Sequence, residues 1–262
     1  MLRYARGRGL LRCGEAWFDE DVEADGIDIL EYVQISSPPR NLRSEPFPTL
    51  LIDLEPSPEE ILAGFDKTTR YEVRRGLGRD GVRTMWHPDV DDELLQRFIS
   101  DYERFARARQ LPPASRRRLD AMRAARALVL SRAELDGAAH AWHAYIRVDD
   151  RVRLLLSSTA DRSSSTELRA QIGRSNRALH YADAVAAKEA GARWLDLGGV
   201  SNQPDGPLRS VDAFKAGFGG RPAVGWNAVE AKSARGRAAL AATHVLSKVR
   251  ESRRNGERAP AG

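Results

Sequence analysis

The chain has 262 residues, 42% of them hydrophobic and 30% charged, with a net charge of +5; this balance fits a folded globular protein and excludes a disordered or membrane-embedded one. Its longest apolar run, residues 238–242, falls far short of the roughly 20 residues that cross a bilayer and the roughly 7–15 of a signal-peptide core, so a cytoplasmic protein without a transmembrane segment is expected. The single Cys13 excludes an internal disulfide and, with five scattered histidines, makes a poor zinc ligand set, so no metal is expected.

Residues 1–46 mix Gly, Pro and charges with two short apolar stretches, 10–17 and 27–35, which read as strands of a lead-in packed on the core. Residues 49–54 read as a buried strand broken by Pro56. Ser57-Pro58-Glu59-Glu60 then supplies an N-cap serine, a proline at the first helical position and a capping-box glutamate. Ile61, Leu62, Phe65, Val73 and Leu77 keep helical spacing after it, while Lys67, Arg70 and Arg74 fall at i, i+3 and i+7 on another face. A strand at 81–86, an amphipathic helix at 91–109, a helix at 115–126 and a strand at 127–134 come next.

The clearest hairpin joins 138–148 to 151–159 through Asp149-Asp150. A helix is expected over 175–190, stopped by Gly191, then a strand at 193–197, the pair Gly198-Gly199, a short helix at 211–216 and a last strand at 224–229. Alternating strands and helices give an α/β or α+β class. Beyond residue 231, Leu240, Val245, Leu246 and Val249 lie among basic residues and lead into an aperiodic tail. A docked helix with a frayed end is the simpler reading, and peripheral contact with an anionic inner-membrane surface the sharper one.

Several motifs fail on context. Gly76-Leu77-Gly78-Arg79-Asp80-Gly81 has dinucleotide-loop spacing but comes after a helix and precedes a strand, the reverse of the required order. Gly173-Arg174-Ser175-Asn176-Arg177 lacks the second glycine of a nucleophile elbow. His140 and His143, three apart in a strand, are expected to face opposite sides and to share no metal. Gly173, Arg174, Ser175 and Asn176 instead fall where a helix is expected to start, where free N–H groups attract anions; capping by Ser175 or Asn176 is the plainer alternative. Of the 42 basic residues only five are lysines, so each lysine is read singly. Arg70 and Arg74 present a face for phosphates of a tRNA acceptor end, CoA or a lipid-linked sugar diphosphate, or simply a solvated face.

Four segments, Lys67 to Arg75, Gly173 to Tyr181, Trp194 to Val200 and Phe214 to Gly220, together resemble the FemAB-like branch of the GNAT acyltransferase superfamily, in the same order along the chain. The resemblance covers residues 47–225, and its last two segments are the most specific. It implies a central mixed sheet flanked by helices, a core at 47–230 between the lead-in and a C-terminal helix and tail at 231–262, and no tightly bound cofactor. It also implies transfer of an acyl or aminoacyl group from an anionic donor, aminoacyl-tRNA or acyl-CoA, to an amine on a cell-envelope, peptidoglycan or polysaccharide precursor. The chain is shorter than the bridge-forming enzymes, and Arg169 to Ser175 only approximates the CoA pyrophosphate loop of other GNAT enzymes.

Direct attack by the amine needs no covalent enzyme intermediate. The resemblance places Lys215 beside the reacting ester, where an ammonium stabilises the oxyanion or the leaving oxygen. Asp196, ahead of Gly198-Gly199, either positions the amine and takes its proton through water or is a buried acceptor fixing the glycine turn. His180 and Tyr181 are candidate acid–base groups, with helix packing as the alternative, and Phe214 is placed at the substrate. A noncatalytic nucleic-acid-binding module is the reading from a different class, prompted by the arginine-rich faces.

Overall fold

The computed structural model describes residues 2–6, 11–18, 23–161, 165–201 and 209–242. Contacts divide the chain into two compact units, Met1–Pro46 with Gly225–Gly262, and Phe47–Val224. In chain order the elements are β1 (Leu2–Arg6), β2 (Leu11–Trp17), β3 (Ile29–Ile35), β4 (Ser44–Asp53), α1 (Pro58–Ala63), α2 (Lys67–Leu77), β5 (Arg83–His87), α3 (Asp92–Ala108) and α4 (Arg116–Ala124). They continue with β6 (Leu128–Leu135), β7 (Ala138–Val148), β8 (Arg151–Thr159), α5 (Thr166–Glu189), β9 (Trp194–Gly199), α6 (Arg209–Ala216) and β10 (Arg221–Ala231).

In the first unit β1 and β2 are antiparallel, β3 runs parallel to β2, and β10 pairs antiparallel with β3 from Trp226 onward. Asp28 ties its parts together. Its carboxylate accepts from the Arg12 backbone N–H at 2.9 Å and the Ser233 hydroxyl at 2.6 Å, and its carbonyl accepts from the Lys232 N–H at 2.9 Å. The Ser233 hydroxyl, followed by the Arg12 N–H, holds the Asp28 carboxyl below its usual range. Residues 234–242 are helical. Gly236 sits against the Asp28 carbonyl so closely that a Cβ there would stand 1.9 Å from it.

The second unit is a mixed sheet in the order β4-β9-β8-β7-β6-β5, with β8 and β9 parallel and the other neighbours antiparallel. Alternation along β7 assigns its two faces. Trp142 Nε1 donates to Asp101 of α3 at 2.8 Å, while His143 meets Asp183 of α5 at 2.7 Å, so α3 covers one face and α5 the other. Leu50, Ile52, Val152, Leu195 and Leu197 from the strands, with Phe65, Val73 and Phe218, form the core under α5.

Three local expectations give way to tertiary structure. The capping box at Ser57 and Glu60 forms, but one helix is replaced by α1 and α2. The chain breaks at Gly64, and Asp66, extended, restarts it by accepting from the Thr69 N–H at 2.6 Å. Helix α5 begins at Thr166 behind an N-cap at Ser165, nine residues before the expected start. Arg174 is buried within it beside Ile172, paired with Asp80 and Glu167.

His140 and His143 face the same helix, contrary to strand alternation. Ala133 opposes Ala141 while Glu134 opposes Ala139, so His140 is the extra residue of a β-bulge that flips the parity. His140 Nδ1 therefore lies 3.1 Å from Ser175 Oγ and His143 Nε2 lies 3.0 Å from Asn176 Oδ1, both on α5.

Candidate active site

A second bulge shapes the site. Tyr145 opposes Leu154 and Ala144 opposes Leu156, leaving Leu155 as an extra residue in β8, and a bulged strand bends. Parallel pairing with β9 covers only Arg151–Arg153 against Trp194–Asp196. Beyond it β8 runs along β7 to Thr159, while β9 runs along β4 to Gly199. The two strands part beyond this pairing.

Lys215 enters at this parting. Its ammonium donates to the Gly199 carbonyl, and a Cβ on Gly198 would lie 3.9 Å from its Nζ. The segment Phe214 to Gly220 holds it there. Phe218 is fully buried, with its ring 5.2 Å from Phe65 and 4.7 Å from His180, and Phe214 stands 5.5 Å from His180. The Gly217 carbonyl accepts the Asp66 N–H at 2.9 Å, and a Cβ on Gly217 would come 2.6 Å from Thr69 Oγ1. Gly219, at φ +66°, leaves 2.5 Å between an added Cβ and the Gly64 carbonyl oxygen. Thus the α1–α2 break and the glycine-rich turn fit into each other and place Lys215. Gly219→Ala is expected to cost more than the about 1–3 kcal/mol of a non-glycine residue in this backbone region, read as a lowered urea midpoint.

Asp196 is fully buried and engaged on both oxygens. Oδ1 accepts from the Thr49 hydroxyl and from the Gly198 N–H, the latter at 2.8 Å, and Oδ2 accepts from Arg151. Of the two readings of Asp196, these bonds match the buried acceptor at the Gly198-Gly199 turn. The glycines are needed for packing, since Gly198, at φ +76°, abuts the Leu154 carbonyl and Gly199 abuts the Phe47 ring. Arg153, whose guanidinium lies 5.3 Å from the Phe47 ring centroid, adds a cation beside Lys215.

Behind this point, on the α5 face, lies a buried polar cluster that the sequence did not reveal. Tyr145 donates to Asp183 at 2.7 Å, Asp183 meets His143, and the His143 and His180 rings are 4.1 Å apart. His180 is buried and its Nδ1 has no hydrogen-bond partner among the described residues. Burial first, then the charges of His143, Lys215 and Arg177, hold its imidazole well below the ordinary histidine value. The unfolded chain takes up a proton near pH 6.5 and the folded chain does not, so stability falls as the pH drops below about 6.5, by up to about 1.4 kcal/mol per pH unit. Urea midpoints across that range should show this slope, and His180→Phe should reduce it, leaving the share of His87 and His140, which burial also holds below the ordinary value. The Tyr181 hydroxyl donates to the Pro58 carbonyl at 3.3 Å and its ring meets Phe65 edge-on, the contacts of a packed helix face.

The expected phosphate-binding residues do not converge. Gly173, Arg174, Ser175 and Asn176 lie inside α5, so their amides belong to its hydrogen-bond ladder and offer no helix start to an anion. Arg70 is spent locally, donating to the Ala63 and Phe65 carbonyls left at the α1–α2 break. Lys67 and Arg74 remain exposed on α2. Among the described residues no group of three or more His, Cys, Asp or Glu is placed to hold a metal ion, and no helix is long and apolar enough to cross a membrane.

A cavity of about 490 Å³ opens on the α3 face, lined by Asp101, Phe105, Arg109, Trp142, Ser158 and Asp161 among others. Trp142 opposes Ser158 and Ile146 opposes Arg153, so these residues share one face of the sheet, and Arg153 pairs with Asp196 on it too. The cavity therefore lies further along β8 on the face that carries Arg153 and Asp196. None of the residues singled out from the sequence lines it. The signal was present only as Trp142 alternating with His143.

The family model described as the acetyltransferase (GNAT) domain matches residues 63–215. A comparison with curated protein sequences gives no match. Among solved structures, the crystal structure of FemX is similar with a TM-score of 0.58 at 14% identity, over 69% of this chain and 60% of that one. The C-terminal domain of a putative lysylphosphatidylglycerol synthetase from Agrobacterium fabrum gives a TM-score of 0.52 at 17% identity, over 83% and 72%. These are likenesses of fold, and the chain spans 60% of the length of FemX.

Proposed function

This chain belongs to the acetyltransferase (GNAT) family and is an acyltransferase, and from that premise we propose that it transfers an acyl group from acyl-CoA to an amine on a cell-envelope or surface-polysaccharide precursor. The observation that carries the reading is Lys215, a cation fixed on the Gly199 carbonyl where β8 and β9 part. An extended, amide-bearing arm of the donor fits the open edge of β8 beyond Leu154 as an added strand, through backbone hydrogen bonds. The amine acceptor enters from the α3-face cavity, whose lining combines Asp101 and Asp161 with Arg104 and Arg109.

The ammonium form of the acceptor first loses a proton to water, giving the neutral amine. Its nitrogen bonds to the acyl carbon, and the oxyanion of the tetrahedral intermediate lies against the Lys215 ammonium. The nitrogen sheds its extra proton as the carbon–sulfur bond breaks, the acyl group stays on nitrogen as an amide, and that proton passes through water to the departing thiolate. Arg153 contributes positive potential on the same face. The fold shared with FemX and with the domain of a putative lysylphosphatidylglycerol synthetase supports an envelope acceptor.

The test is a donor panel with purified protein: acetyl-CoA, longer acyl-CoAs, charged tRNA and uncharged tRNA, each with a mixture of envelope amines. Amine-dependent release of CoA thiol supports the reading. Consumption of charged tRNA with CoA thioesters inert overturns the donor assignment and makes the transferred group aminoacyl.

A further inference from the structure

We propose that the outer face of α2 is a binding site for single-stranded nucleic acid, with Tyr71 as a stacking platform between Lys67 and Arg74. The three residues fall at i, i+4 and i+7 and form one stripe about 10 Å long. Tyr71 is 59% exposed, more than any other large hydrophobic residue described, and Lys67 and Arg74 are exposed beside it. Glu72, the only acidic residue of α2, is turned away to Arg177 at 2.9 Å, so the stripe carries no anion. Arg75 hydrogen-bonds the Tyr71 side chain and steadies the ring. Thr69, Val73 and Gly76 are buried on the opposite side, and Gly76 lies so near the Arg174 carbonyl that an added Cβ would approach it to 3.2 Å. The platform is therefore seated rigidly on α5.

An exposed aromatic ring flanked by cations matches the chemistry of a splayed nucleotide, a base for the ring and phosphates for the ammonium and guanidinium. A duplex keeps its bases stacked inside and offers the ring nothing. A lipid surface would need a broad apolar stripe, and this one has a single aromatic residue. Nothing in the stripe reads base edges, so binding is tolerant of sequence. The site is independent of acyl transfer and can fail or hold without affecting that reading.

The experiment is fluorescence anisotropy of the full chain with labelled 12-nucleotide single-stranded RNA and DNA, the matching duplex, and separately flotation with vesicles of phosphatidylglycerol and phosphatidylcholine. Single strands are expected to bind more tightly than the duplex, with a log–log salt slope of about −1.4 for two neutralised phosphates. Tyr71→Ala should weaken binding about 5- to 150-fold and Tyr71→Phe should retain it. Lys67→Ala with Arg74→Ala should flatten the salt slope. Binding of either single strand supports the site, and the tighter one names its source. Equal or tighter duplex binding, an unchanged affinity in Tyr71→Ala with circular dichroism preserved, or vesicle flotation without oligonucleotide binding overturns it.

Discussion

Lys215→Ala is expected to lower kcat for acyl transfer by about 10²–10³-fold, the usual effect of losing one oxyanion donor, with little change in KM for the donor. The side chain is held by one hydrogen bond to the Gly199 carbonyl, so its removal costs only about 1 kcal/mol of stability, and the variant should remain folded. The pH profile adds an independent readout. Burial lowers the Lys215 pKa from its ordinary value; Asp212 opposes this, Arg153 adds to the lowering, and Asp196 opposes it. A step that needs the ammonium loses rate as the pH rises through that lowered pKa, so the alkaline limb falls below the ordinary lysine value. Lys215→Arg, which stays charged, should keep part of the rate and lose the limb. Full activity in Lys215→Ala would remove the lysine from the mechanism.

Asp196→Ala is expected to be the most destabilising single change at the site. It removes the carboxylate shared by Thr49, Gly198 and Arg151, leaving a guanidinium whose side chain is only 18% exposed without this partner. Removing one partner of a buried pair costs about 3–5 kcal/mol, and the partial exposure of Arg151 favours the lower end. Urea unfolding followed by two probes, with kcat measured on the folded fraction, separates structure from chemistry. An unchanged midpoint with lost activity would return Asp196 to the role of proton acceptor. A lowered midpoint with kcat retained on the folded fraction establishes the turn-fixing role.

The parts of the fold legible in the sequence were those written in local signals. The capping box at Ser57 and Glu60, the Asp149-Asp150 hairpin and the apolar spacing of α3 each rest on residues a few positions apart. Lys215 was legible through its scarcity and through the resemblance of its segment to a known family. What stayed hidden depended on contacts between distant residues. The burial of Arg174 inside α5 needed Asp80 as its partner, and the hydrogen bonds of Asp196 needed Thr49 and Arg151. The His143–Asp183–Tyr145 cluster needed β7 to lie on α5, which no spacing within either element announces. Arg70 matched a phosphate-binding pattern but went to carbonyls freed by a helix break.

The bulges at His140 and Leu155 also govern how this protein can be compared with others. Each is a single-residue insertion at which the alternation of sides along its strand changes parity. A relative with one residue fewer at either point would keep every other side chain of the strand on the same face, because the bulge absorbs the extra residue, but an alignment that omits the gap would match α3-side residues to α5-side ones. Identity at Ser158 is therefore meaningful only where the gap is placed at the bulge, and a gap shifted along either strand misassigns the side of the sheet that the intervening residues face.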